Sequence, residues 1–192
     1  MANIVEGFGM RPYRSGSGAP WNNAQNKYTI KNNYGTAIFT NDLVIPTSTG
    51  NIERHVAGTS YVTIGVFNGC FYTDPTTKKP TFSAFYPGSI AAADIVANVI
   101  DDPDTVYLMD SDEAMPRASL NANYSLTNVT GSTLTGNSKV QLDTSTKATG
   151  ATFAVRAIAI SQDVNNEDTA TANTNVLVRI NQHFFRSGTG LA

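Results

Sequence analysis

The chain has 192 residues, a formal net charge of −2 from 13 Lys plus Arg against 15 Asp plus Glu, and a single cysteine, Cys70. That length fills one domain, burying about 70% of the surface its unfolded chain would expose, while the lone cysteine excludes an intramolecular disulfide framework. The charge balance offers no general attraction to phosphate backbones, so free nucleic acid is not an expected partner; with no basic start leading into a long apolar run, and no apolar stretch near about 18 residues, neither a secretory signal nor contact with a membrane is expected.

Only 15% of the residues are charged, and 24 Thr and 19 Asn interrupt the apolar ones. Thr fits a pleated, half-exposed strand and Asn fits tight turns, so the chain reads as all-β, a small antiparallel β-barrel or β-sandwich. Residues 1–26 hold Gly7, Gly9, Gly16, Gly18, Pro12 and Pro20 without a period of 2 or 3.6, and read as an extended N-terminal arm. Phe8, Met10, Tyr13 and Trp21 are spaced through this arm, which gives it something to dock with. Residues 27–192 read as one domain. Strands are expected at Tyr28–Lys31, Ala37–Phe39, Leu43–Ile45 and Tyr61–Tyr72, the last with bulges or close approaches at Gly65 and Gly69.

D-P-T-T-K-K-P-T at 74–81 suits a hairpin tip, with S-A-F-Y-P-G at 83–88 returning as its second strand. Residues 90–100 (I-A-A-A-D-I-V-A-N-V-I) fit a helix or a strand equally well. T-V-Y-L-M at 105–109 reads as a strand, and 111–136 as a long polar loop region passing over the surface. Further strands are expected at Lys139–Leu142, Phe153–Ile160 and Asn175–Ile180, with a polar loop over 161–174.

The order of G-F-G-M-R-P at 7–12, N-D-L-V at 41–44, T-I-G-V-F-N-G-C-F-Y-T-D at 63–74, F-Y-P-G at 85–88, D-D-P-D at 101–104, T-G-N-S at 135–138, V-Q-L-D at 140–143 and V-R-I-N-Q-H at 178–183 resembles a group of small tailed-phage proteins encoded beside the major capsid protein. D-L-V-I-P-T-S-T-G-N-I at 42–52 also looks like the strand-turn-strand opening of small decoration-protein barrels. The resemblance spans nearly the whole chain and implies a capsid decoration, or cement, protein on the outer surface of the virion. Its implied partners are the major capsid protein and other copies of itself, as a homotrimer where three capsomers meet or a dimer over two-fold sites. An arm with spaced anchors can thread between capsid subunits, at the cost of ordering it; Phe8, Met10, Arg11, Pro12, Tyr13 and Trp21 are the expected capsid-binding residues. The arm can also fold back on its own barrel or exchange with a sister subunit. A different virion surface component, such as a head-fibre base or a receptor- or glycan-binding module using the polar loops, is the second reading. An enzyme is the third.

No catalytic, cofactor or metal site is expected. The acidic residues between Asp101 and Glu113 lack the spacing of a calcium loop, and His55 and His183 have no partner at zinc-ligand spacing. Cys70, in an apolar run, reads as a small buried hydrophobe. R-S-G-S-G-A-P at 14–20 lacks the ending of a phosphate-binding loop, and the N-glycosylation patterns at Asn123 and Asn128 come without a secretory signal.

Overall fold

A computed structural model describes residues 3, 7–57, 62–166, 168–188, 190 and 191. Twelve strands run through them: β1 Arg11–Ser15, β2 Asn26–Ile30, β3 Leu43–Pro46, β4 Asn51–Arg54, β5 Gly65–Thr73, β6 Pro80–Ser83, β7 Val96–Ile100, β8 Thr105–Asp110, β9 Asn123–Leu126, β10 Leu142–Ala148, β11 Val155–Ile160 and β12 Asn175–Ile180. The helical content is one 3-10 turn, Arg117–Ser119, and one α-turn, α1 Phe184–Ser187. The fold is all-β, and among the described residues five of the seven non-glycine positions with positive φ are asparagines: Asn23, Asn33, Asn41, Asn121 and Asn173. Asn tolerates that backbone region better than other side chains, so its abundance follows from the turns.

The first sheet is antiparallel throughout, in the order β1-β8-β12-β11-β9-β10. The second runs β3-β4-β2-β7-β5-β6, with β2 and β4 parallel. A further pairing of β3 with β5, Leu43 to Val66 and Val44 to Gly65, closes β3-β4-β2-β7-β5 into a ring, and β6 extends the free part of the β5 edge. The sheet has become a small barrel with one hairpin projecting from it.

Two cores result, and the barrel wall separates them. Val44, Phe67 and Val99 belong to the barrel's own core, while their chain neighbours Leu43, Val66 and Ile100 join Met10, Tyr107, Met109, Met115 and Tyr124 in the core under the first sheet. Side chains alternate across a strand, so a wall buried on both faces needs consecutive apolar residues. Each such side chain stabilises the fold by about 1.5–3 kcal/mol on burial. Gly65 is required in this wall: a Cβ there would lie 2.2 Å from the Ile100 carbonyl oxygen. Gly69 sits where the β5–β7 register slips between Phe67 and Cys70, with φ +94. Both glycines therefore mark the expected close approach and bulge.

The expected arm over 1–26 requires correction. Residues 11–15 form β1 at the edge of the first sheet, paired with β8, and Met10 is fully buried. Main-chain pairing along β8 captured a segment with no side-chain period. Pro12 is tolerated because β1 is an edge strand, and the register slips between Pro12 and Arg14, bulging Tyr13 outward.

Within 90–100, only Val96–Ile100 is regular, and it is a strand, β7, between β2 and β5. Residues 111–136 are not simply a surface excursion, because β9 lies inside the first sheet between β11 and β10. The later part of that region is held against the barrel, with Thr40 N–H donating to the Gly136 oxygen and Ser138 N–H to the Thr40 oxygen. Residues 139–141 precede β10 rather than forming a strand with Leu142, and around 37–39 only isolated bridges form, Ile38 to Tyr86 and Thr40 to Asn137. The hairpin forms as β5–β6, but its return strand is Pro80–Ser83, beginning inside the expected tip, and not 83–88, where Tyr86 makes only an isolated bridge to Ile38; 42–52 forms the β3–β4 hairpin, and β12 occupies Asn175–Ile180. Tyr61, expected to begin a strand, lies outside the described residues.

Candidate functional site

The six residues expected to grip a partner part company in the structure. Met10 is a core residue, and Trp21 is half-buried against the same core, its indole Nε1 without a hydrogen-bond partner among the described residues. Phe8 and Pro12 are half-buried, with the Arg11 guanidinium 4.7 Å from the Phe8 ring centroid. Arg11 and Tyr13 remain exposed. Phe8 and Arg11 line one wall of an open cleft of about 510 Å³, whose other wall comes from residues 132–139.

Among the described residues the most exposed aromatic side chain lies elsewhere, on the projecting β5–β6 hairpin. Asp74 closes its tip, its carboxylate accepting from the Thr76 and Thr77 N–H groups at 2.8 and 2.7 Å. Those bonds hold the Asp74 carboxyl below its ordinary pKa. The register fixed by this turn sets Phe71 opposite Phe82 on one face. Phe82 is 64% exposed and Phe71 44%. Sequence inspection marked the hairpin but not this pair. The usable signal was its closing turn, because once the turn is fixed, counting back along both strands places the two phenylalanines across from each other.

Behind these surfaces, buried charge ties the barrel to the 127–141 excursion. Asp42, just before β3, pairs with Arg54 Nε at 2.9 Å and accepts from the Phe39 N–H at 2.9 Å and the Ser138 hydroxyl at 2.6 Å. Arg54 also donates to the Val129 oxygen at 2.6 Å. Burial raises the Asp42 carboxyl above its ordinary value, and Arg54, Ser138 and the Phe39 N–H oppose that rise. Asp110, fully buried at the end of β8, accepts from Gln141 Nε2 at 2.7 Å through one oxygen. Burial pushes its carboxyl up to about 7. Both networks position backbone.

Asp101, Asp102 and Asp112 have structural partners. Asp101 accepts from Asn26 Nδ2 and from the Tyr28 hydroxyl, Asp102 accepts from the Asp104 N–H, and Asp112 accepts from Thr144. No three His, Cys, Asp or Glu side chains come close enough to hold a metal ion among the described residues. Cys70 is buried, and desolvation pushes its thiol up to about 12, far from an activated thiolate. His183 caps α1 by accepting from the Phe185 N–H, and burial lowers its pKa. Asn123 is buried with its amide donating to the Gly150 oxygen at 2.9 Å, so the folded protein offers no glycan acceptor there. Tyr124, the one aromatic residue of the 111–136 region, is fully buried and cannot form a sugar platform.

No helix among the described residues is long and apolar enough to cross a membrane. Compared with protein families, with curated proteins and with solved structures, the chain matches none.

Proposed function

We propose that this protein is a non-catalytic capsid decoration protein that binds the outer surface of a tailed-phage head and bridges neighbouring copies of the major capsid protein. The ordered run of motifs described above motivates this reading. The structural observation that carries it is the Phe71–Phe82 pair, two aromatic side chains held in water on a hairpin that projects from the barrel. Exposed neighbouring aromatics are poor surface residues for an isolated domain and good anchors for a partner.

The grip belongs to folded surfaces: the β5–β6 hairpin as the main anchor, with Tyr13 and the cation–aromatic pair of Arg11 and Phe8 as secondary contacts. A rigid clamp of this kind loses less conformational entropy on binding than a free arm would. Bridging capsid subunits stabilises the bridged shell by mass action. Trimeric assembly over three-capsomer sites is the favoured arrangement, with a dimer over two-fold sites as its alternative.

Quantitative mass spectrometry of gradient-purified virions, relative to the major capsid protein, tests the proposal. It requires a fixed simple ratio set by icosahedral sites. A handful of copies per particle, or none, would move the protein to a vertex, a fibre base or a role outside the virion.

A further inference from the structure

Outside the surfaces just described, the outer face of the first sheet concentrates positive charge. Residues paired across strands share a face. Arg14 on β1 pairs with Val106 on β8, and Arg156 on β11 pairs with both Arg179 on β12 and Asn123 on β9. Because Val178 pairs with Tyr107, whose side chains both enter the core, Arg179 falls beside Val106 on the opposite, outward face. Arg186, from α1, reaches the same place. Four of the chain's seven arginines thus lie on this face, in a protein whose net charge is −2.

Three of them, Arg156, Arg179 and Arg186, line a cleft of about 200 Å³ together with Asn181. Two arginines directly opposite each other on adjacent strands repel, so Arg156 facing Arg179 costs stability unless an anion sits near both. Among the described residues, the only carboxylate paired with them is Asp104. It bonds Arg179 at 2.5 Å and also bonds Arg186, and the two guanidinium groups hold its carboxyl below the ordinary range. Among the described residues Arg156 has neutral partners alone: its Nε donates to Asn123 at 2.9 Å and its NH2 to Asn181 at 3.2 Å. Three positive charges against one negative leave the cleft short of anionic charge.

We infer that the cleft formed by Arg156, Arg179 and Arg186 is a binding site for a dianionic oxyanion, a phosphate or sulfate group, carried free or as a terminal monoester. Guanidinium forks present paired N–H donors that match such oxygens, and three of them surround a volume of suitable size. Asp104 acts as an internal competitor, occupying two of the three forks when the site is empty. This inference is independent of the capsid reading, since it uses neither the hairpin aromatics nor the N-terminal cleft.

The test is titration of the full chain with inorganic phosphate at constant ionic strength, following the arginine Nε–H signals by NMR. The signals of Arg156, Arg179 and Arg186 are expected to move together along one saturating curve, with Arg54 unmoved. R156Q is expected to weaken binding strongly. D104N is expected to tighten it roughly fivefold, because removing one nearby carboxylate charge is worth about 1 kcal/mol at contact distance in water. That gain is not anticipated if the arginines serve only to anchor Asp104. Methyl phosphate as a second probe separates the sources: tighter binding than inorganic phosphate assigns a ligand-borne group, and equal or weaker binding assigns the free ion. Linear, non-saturating shifts that chloride reproduces, or weaker phosphate binding by D104N, would overturn the inference.

Discussion

The β5 strand and the β1 strand pose opposite problems to the folding chain. β5 is nine residues long, forms part of the barrel wall and sends Val66 into one core and Phe67 into the other. β1 is five residues long, lies at a sheet edge and contains no fully buried side chain. A wall strand is held by burial on both faces, whereas an edge strand is held by main-chain hydrogen bonds to one neighbour and by whatever flanks it, here Met10 on one side and Trp21 farther along. The first kind announces itself in hydrophobicity. The second does not.

If β1 is nevertheless integral, removing residues 1–21 should have the largest effect of any change considered. It strips Met10 from the core and opens the β8 edge, in a protein whose total stability is on the order of 5–15 kcal/mol. Loss of a cooperative thermal transition, followed by circular dichroism, is the expected outcome. A truncated chain that melts like the intact one would return the segment to the status of a detachable arm.

Asp42→Ala should come next, because it leaves Arg54 buried without its counter-charge, at a cost of about 3–5 kcal/mol in chemical denaturation. Its effect sharpens the contrast from the barrel side, where the network joins β3 and β4 to the 127–141 excursion. Met10→Ala isolates the flank of β1, with an expected loss of about 2–5 kcal/mol. A loss below about 1 kcal/mol would mean that strand pairing, and not the buried methionine, keeps β1 in place.

Smaller still, Phe82→Ser should leave stability within about 0.5 kcal/mol while reducing attachment to purified heads in a co-sedimentation assay. Unchanged attachment would remove the hairpin from the proposed interface. The pH dependence is the finest probe. The Asp110 carboxyl is raised to about 7 in the folded protein against about 3.9 unfolded, so the native state binds the extra proton between those values. Its contribution is fully present below about pH 4 and is lost as the pH rises through about 7. Asp110→Asn should flatten that slope, measured as denaturation midpoint against pH.

The fold class was legible because Thr and Asn dominate the polar positions and because V-F-N-G-C-F-Y, V-Y-L-M and V-L-V carry strand periodicity or unbroken burial. The hairpin tip at Asp74 and the glycines at 65 and 69 were legible from turn chemistry and the need for close approach. Of the candidate binding residues, Tyr13 and Arg11 stayed at the surface as a partner contact requires, and Met10 did not. An apolar residue in an unpatterned segment reads the same whether it will meet its own core or another molecule.

By itself, then, the sequence determined local matters: which segments favour extended backbone, where the chain must turn, and that no helix-based architecture is available. Only the tertiary structure decided that β3 meets β5 to close a barrel, that β9 enters the first sheet from within a polar stretch, that Asp42 finds Arg54 and Ser138, and that three distant arginines share one cleft. Strand pairing is specified by main-chain hydrogen bonds that every residue but proline can make. Partners distant in sequence are therefore chosen by the packing of the whole chain.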